Sequence, residues 1–199
     1  MKTKSKLWLA VFASFMISAC STSVERLDAQ EQVDLSGAWN DTDSQLVARE
    51  MIEDSLSRPW ITQFVTQTGK DPALIVGTVK NLSHEHINTN AFVANMEREL
   101  INSGQVQFVA SATARQEIRD ERNDQAVNAT QDTRNMKRQE YGADFMLQGQ
   151  INTIIDIDGK TQVRYYQVNL ELISLKDNRK VWIGEKKIKK LVRYSKLRE

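Results

Sequence analysis

Residues 145–184 leave few choices of fold. Phe145-Met146-Leu147 opens an apolar-alternating segment that runs to Ile157, and Asp158-Gly159 is a two-residue hairpin signal. Val163 to Leu175 follows, with Tyr166, Val168, Leu170 and Leu172 spaced by two, so that all four share one face of a strand. Asp177-Asn178 is a second turn, and Val181-Trp182-Ile183-Gly184 opens a third strand. Three strands joined by short turns form an antiparallel meander, whose apolar face must be covered by something outside it.

The preceding hundred residues supply the cover. Asn40 to Ser44 offers several N-caps, and Val47/Met51 with Ala48/Ile52/Leu56 gives an apolar helical face ended by Arg58-Pro59. Trp60, Ile61, Phe64 and Val65 predict a short further turn. Ala73 to Val79 is a nearly continuous apolar run, as in a strand covered on both faces. Asn88-Thr89-Asn90 can cap a helix bearing Phe92, Val93, Met96, Leu100 and Ile101, and Gly104 suits its C-terminus. Val106–Val109 is a short strand. A charged helix starts at Ser111 or Thr113 and runs to about Asn123, residues 124–133 read as loop, and a second helix spans Arg134 to Tyr141. The expectation is a single small α/β domain, with a mixed sheet of about five strands ending in an antiparallel meander and helices packed mainly on one face.

The start of the chain is an address. Lys2, Lys4 and Lys6 precede eleven residues, Leu7 to Ile17, that are apolar except for Ser14. This is shorter than the roughly 20 residues of a membrane span and fits the apolar region of a signal peptide. It closes on Ile17-Ser18-Ala19-Cys20, which resembles the bacterial lipobox, whose Cys is lipidated and becomes the first mature residue. The alternative is an ordinary secretory leader with a free thiol at Cys20. By resemblance to the sorting pattern of Gram-negative lipoproteins, Ser21 after the Cys favours the outer membrane. The organisation read from the sequence is a signal peptide over 1–19, the lipidated Cys20 and a tether over 20–38, the α/β domain over 39–192, and a basic tail over 193–199.

Charge is uneven. Without residues 1–19 the chain holds 24 basic and 26 acidic residues, but residues 176–199 carry net +7 and residues 20–175 net −9. The basic run from Lys186 to Arg198 fits a solvated final strand whose lysines blunt an exposed edge. An anionic partner or head group comes next, and nucleic acid far behind. A single Cys excludes a disulfide framework. His84-Glu85-His86 lacks the spacing of a helical ligand pair and a third ligand. Asp156 and Asp158 sit beside a turn, where Asp is common for backbone reasons. No Gly-rich phosphate loop or nucleophile elbow occurs. The chain therefore reads as a non-enzyme without cofactor or metal, apart from the lipid on Cys20.

Six stretches carry a resemblance. They are 35–44 (LSGAWNDTDS), 85–89 (EHINT), 100–104 (LINSG), 142–149 (GADFMLQG), 166–172 (YQVNLEL) and 181–188 (VWIGEKKI). Together they resemble the LpoB-type lipoproteins that activate penicillin-binding proteins. The resemblance implies a domain like the amino-terminal domain of TolB. It also implies a non-catalytic role, in which an outer-membrane lipoprotein facing the periplasm binds and stimulates a bifunctional peptidoglycan synthase of the inner membrane. The best-known activators of this type have a long Pro-rich tether, whereas this chain has no Pro before Pro59 and an eighteen-residue tether. Candidate partner-binding residues are Trp39, Tyr165, Trp182, Lys186 and Lys187, each of the tryptophans having core packing as its alternative. A second reading is an envelope scaffold lipoprotein that docks other outer-membrane or periplasmic components.

Overall fold

The computed structural model describes residues 24–28, 31, 33–134 and 139–194; the leader, Cys20 and residues 195–199 lie outside them. The chain divides into two units, 1–32 and 33–199. Residues 24–28 and 31 of the first carry no helix or strand.

In the second unit, helix α1 (Asp41–Leu56) begins where Asn40 is extended. Its side chain accepts from the Asp43 N–H at 3.0 Å, and the Asp43 carboxylate accepts from the Asn40 N–H at 3.0 Å. This reciprocal cap satisfies two donors that a helix start leaves unpaired. Helix α2 (Trp60–Thr68) is a full nine residues rather than one turn. The Trp60 indole donates to Ser55 O at 2.7 Å and stacks edge-on against Phe145 at 5.1 Å, as Phe64 does at 5.2 Å. Strand β1 (Ala73–Asn81), helix α3 (Thr89–Ser103), strand β2 (Gln107–Phe108) and helix α4 (Ala112–Asn128) follow. Asn88 and Ser111 cap α3 and α4, and Gly104 ends α3.

The final third is strands β3 (Phe145–Asp158), β4 (Thr161–Ser174) and β5 (Lys180–Arg193). Asp158 pairs with Thr161, so the two turn residues are Gly159 and Lys160, one position later than the sequence suggests. Gly159 takes the positive φ (+55°) that such a turn needs. The sheet order is β2-β1-β3-β4-β5, with β1 parallel to β2 and β3, and β3-β4-β5 antiparallel. The fold is thus the expected α/β domain with five strands ending in a meander.

One face of the sheet holds the core. Leu74, Val76, Leu147, Ile151, Val168, Leu170 and Leu172 meet Val47, Met51 and Ile52 of α1 and Phe92, Met96 and Leu100 of α3. A register shift between Val76 and Val79 inserts an extra residue in β1 and returns Val79 to the core side. Ala73, Leu74, Ile75 and Val76 are all buried, as a strand covered on both faces requires. Two further expectations need correction. Helix α4 runs five residues further than expected, into 124–128. The helix expected over 134–141 falls partly on residues outside the description, and Arg134 and 139–141 are irregular.

Candidate functional site

Side chains alternate along β5, so its basic run splits between two faces. Trp182, Gly184, Lys186, Ile188 and Lys190 point toward the helices, and Ile183, Glu185, Lys187, Lys189 and Leu191 point away. The lysines expected to be solvated are therefore divided. Lys186 pairs with Glu50 of α1. Lys190 is 10% exposed and reaches Asp43 at 2.6 Å, Asp34 at 2.9 Å and Ala38 O at 3.1 Å. Asp34 and Ala38, read from sequence as tether, are thus in contact with the fold.

The aromatic candidates separate in the same way. Trp182 is 6% exposed, and its indole donates to Asp54 Oδ2 at 2.8 Å. Hydrogen bonds from Arg58 and then Trp182 hold Asp54 below the usual carboxylate range. Trp39 is half-buried, donates to Ser44 Oγ at 2.7 Å, and lies edge-on to Phe92 at 6.1 Å and Tyr166 at 5.6 Å. Both tryptophans pack α1 onto the sheet.

Tyr165 and Lys187 lie on the opposite, open face. Away from the β3–β4 turn this face of β3, β4 and β5 is polar and self-paired. Gln148 donates to Glu171 at 2.8 Å, and Lys180 pairs with the same carboxylate at 2.5 Å. These two bonds, Lys180 first, hold Glu171 low. Gln167 donates to Glu185 at 2.6 Å, and Lys187 pairs with Glu185 at 2.6 Å, which raises the lysine above its ordinary range. Toward the β3–β4 turn the face becomes apolar. Ile154 stands opposite Tyr165, which stands opposite Lys189, and the next row is Asp156, Val163 and Leu191. Ile154 is 64% and Leu191 55% exposed, so a half-apolar patch edged by Lys187 and Lys189 faces solvent. A patch of this kind is suited to a protein surface.

The residue that sequence reasoning passed over is Glu85. The histidines beside it, His84 and His86, are exposed, and among the described residues no three His, Cys, Asp or Glu side chains gather as a metal site. The Glu85 carboxylate instead turns inward. It accepts from the Trp39 N–H at 3.0 Å, Arg164 at 2.9 Å and the Tyr166 hydroxyl at 2.8 Å. Burial, then Glu85, pushes the Tyr166 hydroxyl well above its ordinary pKa. In the sequence Glu85 stands out only as part of His84-Glu85-His86 and of one family-like stretch, and neither points to its role as an inward acceptor.

A family model described as peptidoglycan-synthase activator LpoB matches residues 43–188. No curated protein sequence matches the chain. Among solved structures, the LpoB C-terminal domain from Escherichia coli is 15% identical over 73% of this chain and 98% of that one, with a TM-score of 0.44. The corresponding domain from Salmonella enterica is 16% identical over 65% and 93%, with a TM-score of 0.34. Lipoprotein GNA1162 from Neisseria meningitidis is 11% identical over 60% and 83%, with a TM-score of 0.39.

Proposed function

The chain belongs to the family of the peptidoglycan-synthase activator LpoB, and on that premise we propose that it is a lipid-anchored, non-catalytic regulator on the periplasmic side of the outer membrane. It binds and stimulates a bifunctional synthase of the class A penicillin-binding type. The observation that carries the reading is the extent of the family match, which runs from the first turn of α1 into β5. The lipid is attached at Cys20, where each buried methylene adds about 0.8 kcal/mol and two or more acyl chains make the anchor stable.

The open-face patch around Tyr165, with Ile154, Leu191, Lys187 and Lys189, is the docking surface in this reading. It combines an aromatic anchor with a basic rim, and the helices leave it uncovered. Stimulation follows if the domain binds the active conformation of the synthase more tightly than the resting one. A tenfold preference shifts that balance by about 1.4 kcal/mol.

The full-length chain in detergent, added to its cognate synthase, raises the rate of glycan-strand polymerisation in this reading. Tyr165→Ala combined with Lys187→Glu lowers that stimulation at least tenfold and leaves the melting temperature of the domain nearly unchanged. A synthase that neither binds the chain nor responds to it would sink the proposal.

One observation favours a second reading, an envelope scaffold docking neighbours on its own membrane. The folded unit begins at Val33, so only residues 21–32 separate it from Cys20. Twelve residues span at most about 43 Å. Crosslinking in intact cells separates the two: an inner-membrane synthase supports the activator, and an outer-membrane partner supports the scaffold.

A further inference from the structure

A cleft of about 650 Å³ opens at the β2 end of the sheet, remote from the Tyr165 patch. One wall is α4. Arg115, Ile118, Arg119 and Arg122 recur on it at i, i+3, i+4 and i+7, so they form a single stripe. The helix buries none of its residues, and Ile118 is 42% exposed. This stripe is not spent on the core.

Across the cleft the three guanidiniums converge on Glu140. Arg119 grips it with both arms, at 2.8 and 2.7 Å. Arg115 and Arg122 stand at 3.9 and 3.6 Å, too far for hydrogen bonds. One carboxylate thus answers three cations; Arg115 spends one N–H on Ala110 O at 3.1 Å, and it and Arg122 keep further donors for an anion. The Arg119 bond, with the charge of all three arginines behind it, holds Glu140 below the usual carboxylate range.

The floor of the cleft is a sheet edge. The Gln107 N–H bonds Pro72 O at 2.9 Å and the Val109 N–H bonds Leu74 O at 2.8 Å, both toward β1. Strand alternation then turns the N–H and C=O of Phe108 outward. Among the described residues no strand pairs with β2 on that side. Phe108 and Ile118 both line the space.

We propose that this cleft binds an extended, acidic peptide segment of a partner protein, which adds to β2 as a further strand and sets its carboxylates on Arg115 and Arg122 while displacing Glu140. The excess of positive charge selects an acidic occupant. The unpaired backbone edge selects a peptide, since phosphate or a lipid head group would use the arginines and leave Phe108 unanswered. The occupant approaches a different end of the sheet from the patch assigned to the synthase. A chain that fails to stimulate any synthase would still bind it.

The test is selection of a random twelve-residue phage-displayed peptide library on the full-length chain in detergent. The expected winners carry two or more Asp or Glu interspersed with apolar residues. A fluorescent copy of one winner binds the parent chain, and Arg115→Gln with Arg122→Gln weakens it at least tenfold. Methylation of alternate backbone amides in the peptide weakens it as well. Glu140→Gln removes the resident competitor and tightens binding at least threefold, whereas a purely structural Glu140 loosens it. Thermal melts of each variant establish that the fold persists. The proposal is overturned by a library without acidic enrichment, by affinity indifferent to the two arginines, or by weaker binding to the Glu140→Gln chain. Binding of phosphatidylglycerol vesicles through the same arginines, with no peptide selected, also overturns it.

Discussion

Glu85 gathers three donors from distant parts of the chain: the start of α1, and Arg164 and Tyr166 of β4. Its side chain and that of Arg164 are 17% and 16% exposed, so removing one leaves the other charge poorly hydrated and unpaired. Glu85→Ala should lower stability by about 3 kcal/mol in a denaturant titration, with Glu85→Gln in between because it keeps one acceptor. A neutral effect would show the cluster to be idle. Glu97 offers the opposite case. Burial alone raises its pKa, so its ionised form is costlier folded than unfolded. The cost is present at pH 7 and fades as pH falls through the raised folded value toward the unfolded one. Glu97→Gln should therefore raise the melting temperature at pH 7, and its advantage should shrink by pH 4. An advantage independent of pH would contradict the assignment. Asp54 and Glu171 run the other way: their lowered values give stability above the unfolded carboxylate range that is lost in acid.

At the scale of elements, β3 and β4 approach closely beside the β1 irregularity. A Cβ at Gly149 would stand 2.1 Å from Asn169 O and 2.6 Å from Leu170 Cδ2. Backbone cannot yield as a side chain tip can, so Gly149→Ala should cost about 2–3 kcal/mol, read by chemical denaturation. The elements most legible in the sequence had a period and a cap. Strand β4 showed strict alternation, and α1 showed an apolar stripe behind Asn40. The tail of α4 had neither. Its last turns are held by exposed side-chain bonds, Gln125 to Glu121 and Asn128 to Asp124, which leave no apolar signature. The apolar residues of helix α2 stop at Val65 and so predict only a short turn; the packing of Trp60 and Phe64 on Phe145 shows why the helix persists. The candidate site was legible by half. Period two alone puts Lys186 with Trp182 and Lys187 opposite, but nothing local says which side the helices cover.

For the molecule as a whole, the distance from Cys20 to the fold decides between the two functional readings. Inserting thirty Gly/Ser residues after Ser23 adds an r.m.s. reach of about 30 Å. If the partner sits on the inner membrane, the insertion should increase crosslinking to the synthase in cells; if the partner is a neighbour in the outer membrane, crosslinking to it should be unchanged or fall. Charge is distributed at this scale too. Two lysines of the basic ending, Lys186 and Lys190, are neutralised at home by Glu50 and by Asp34 and Asp43, from the first residues of the folded unit.

That pairing also sets a timetable for folding. Helix α1 is among the first elements of the folded unit to be synthesised, and its charged partners Lys186 and Lys190 are among the last. More than a hundred residues must pass before the loop between them can close. Until then Val47, Met51 and Ile52 have no strand β5 bearing Trp182 beside them, and closure over so long a separation is slow. A chain cut short before β5 therefore keeps α1 against α3 but leaves the part of its apolar stripe that Trp182 covers exposed to proteases and chaperones. Arrival of the last strand is in effect the step that closes the fold.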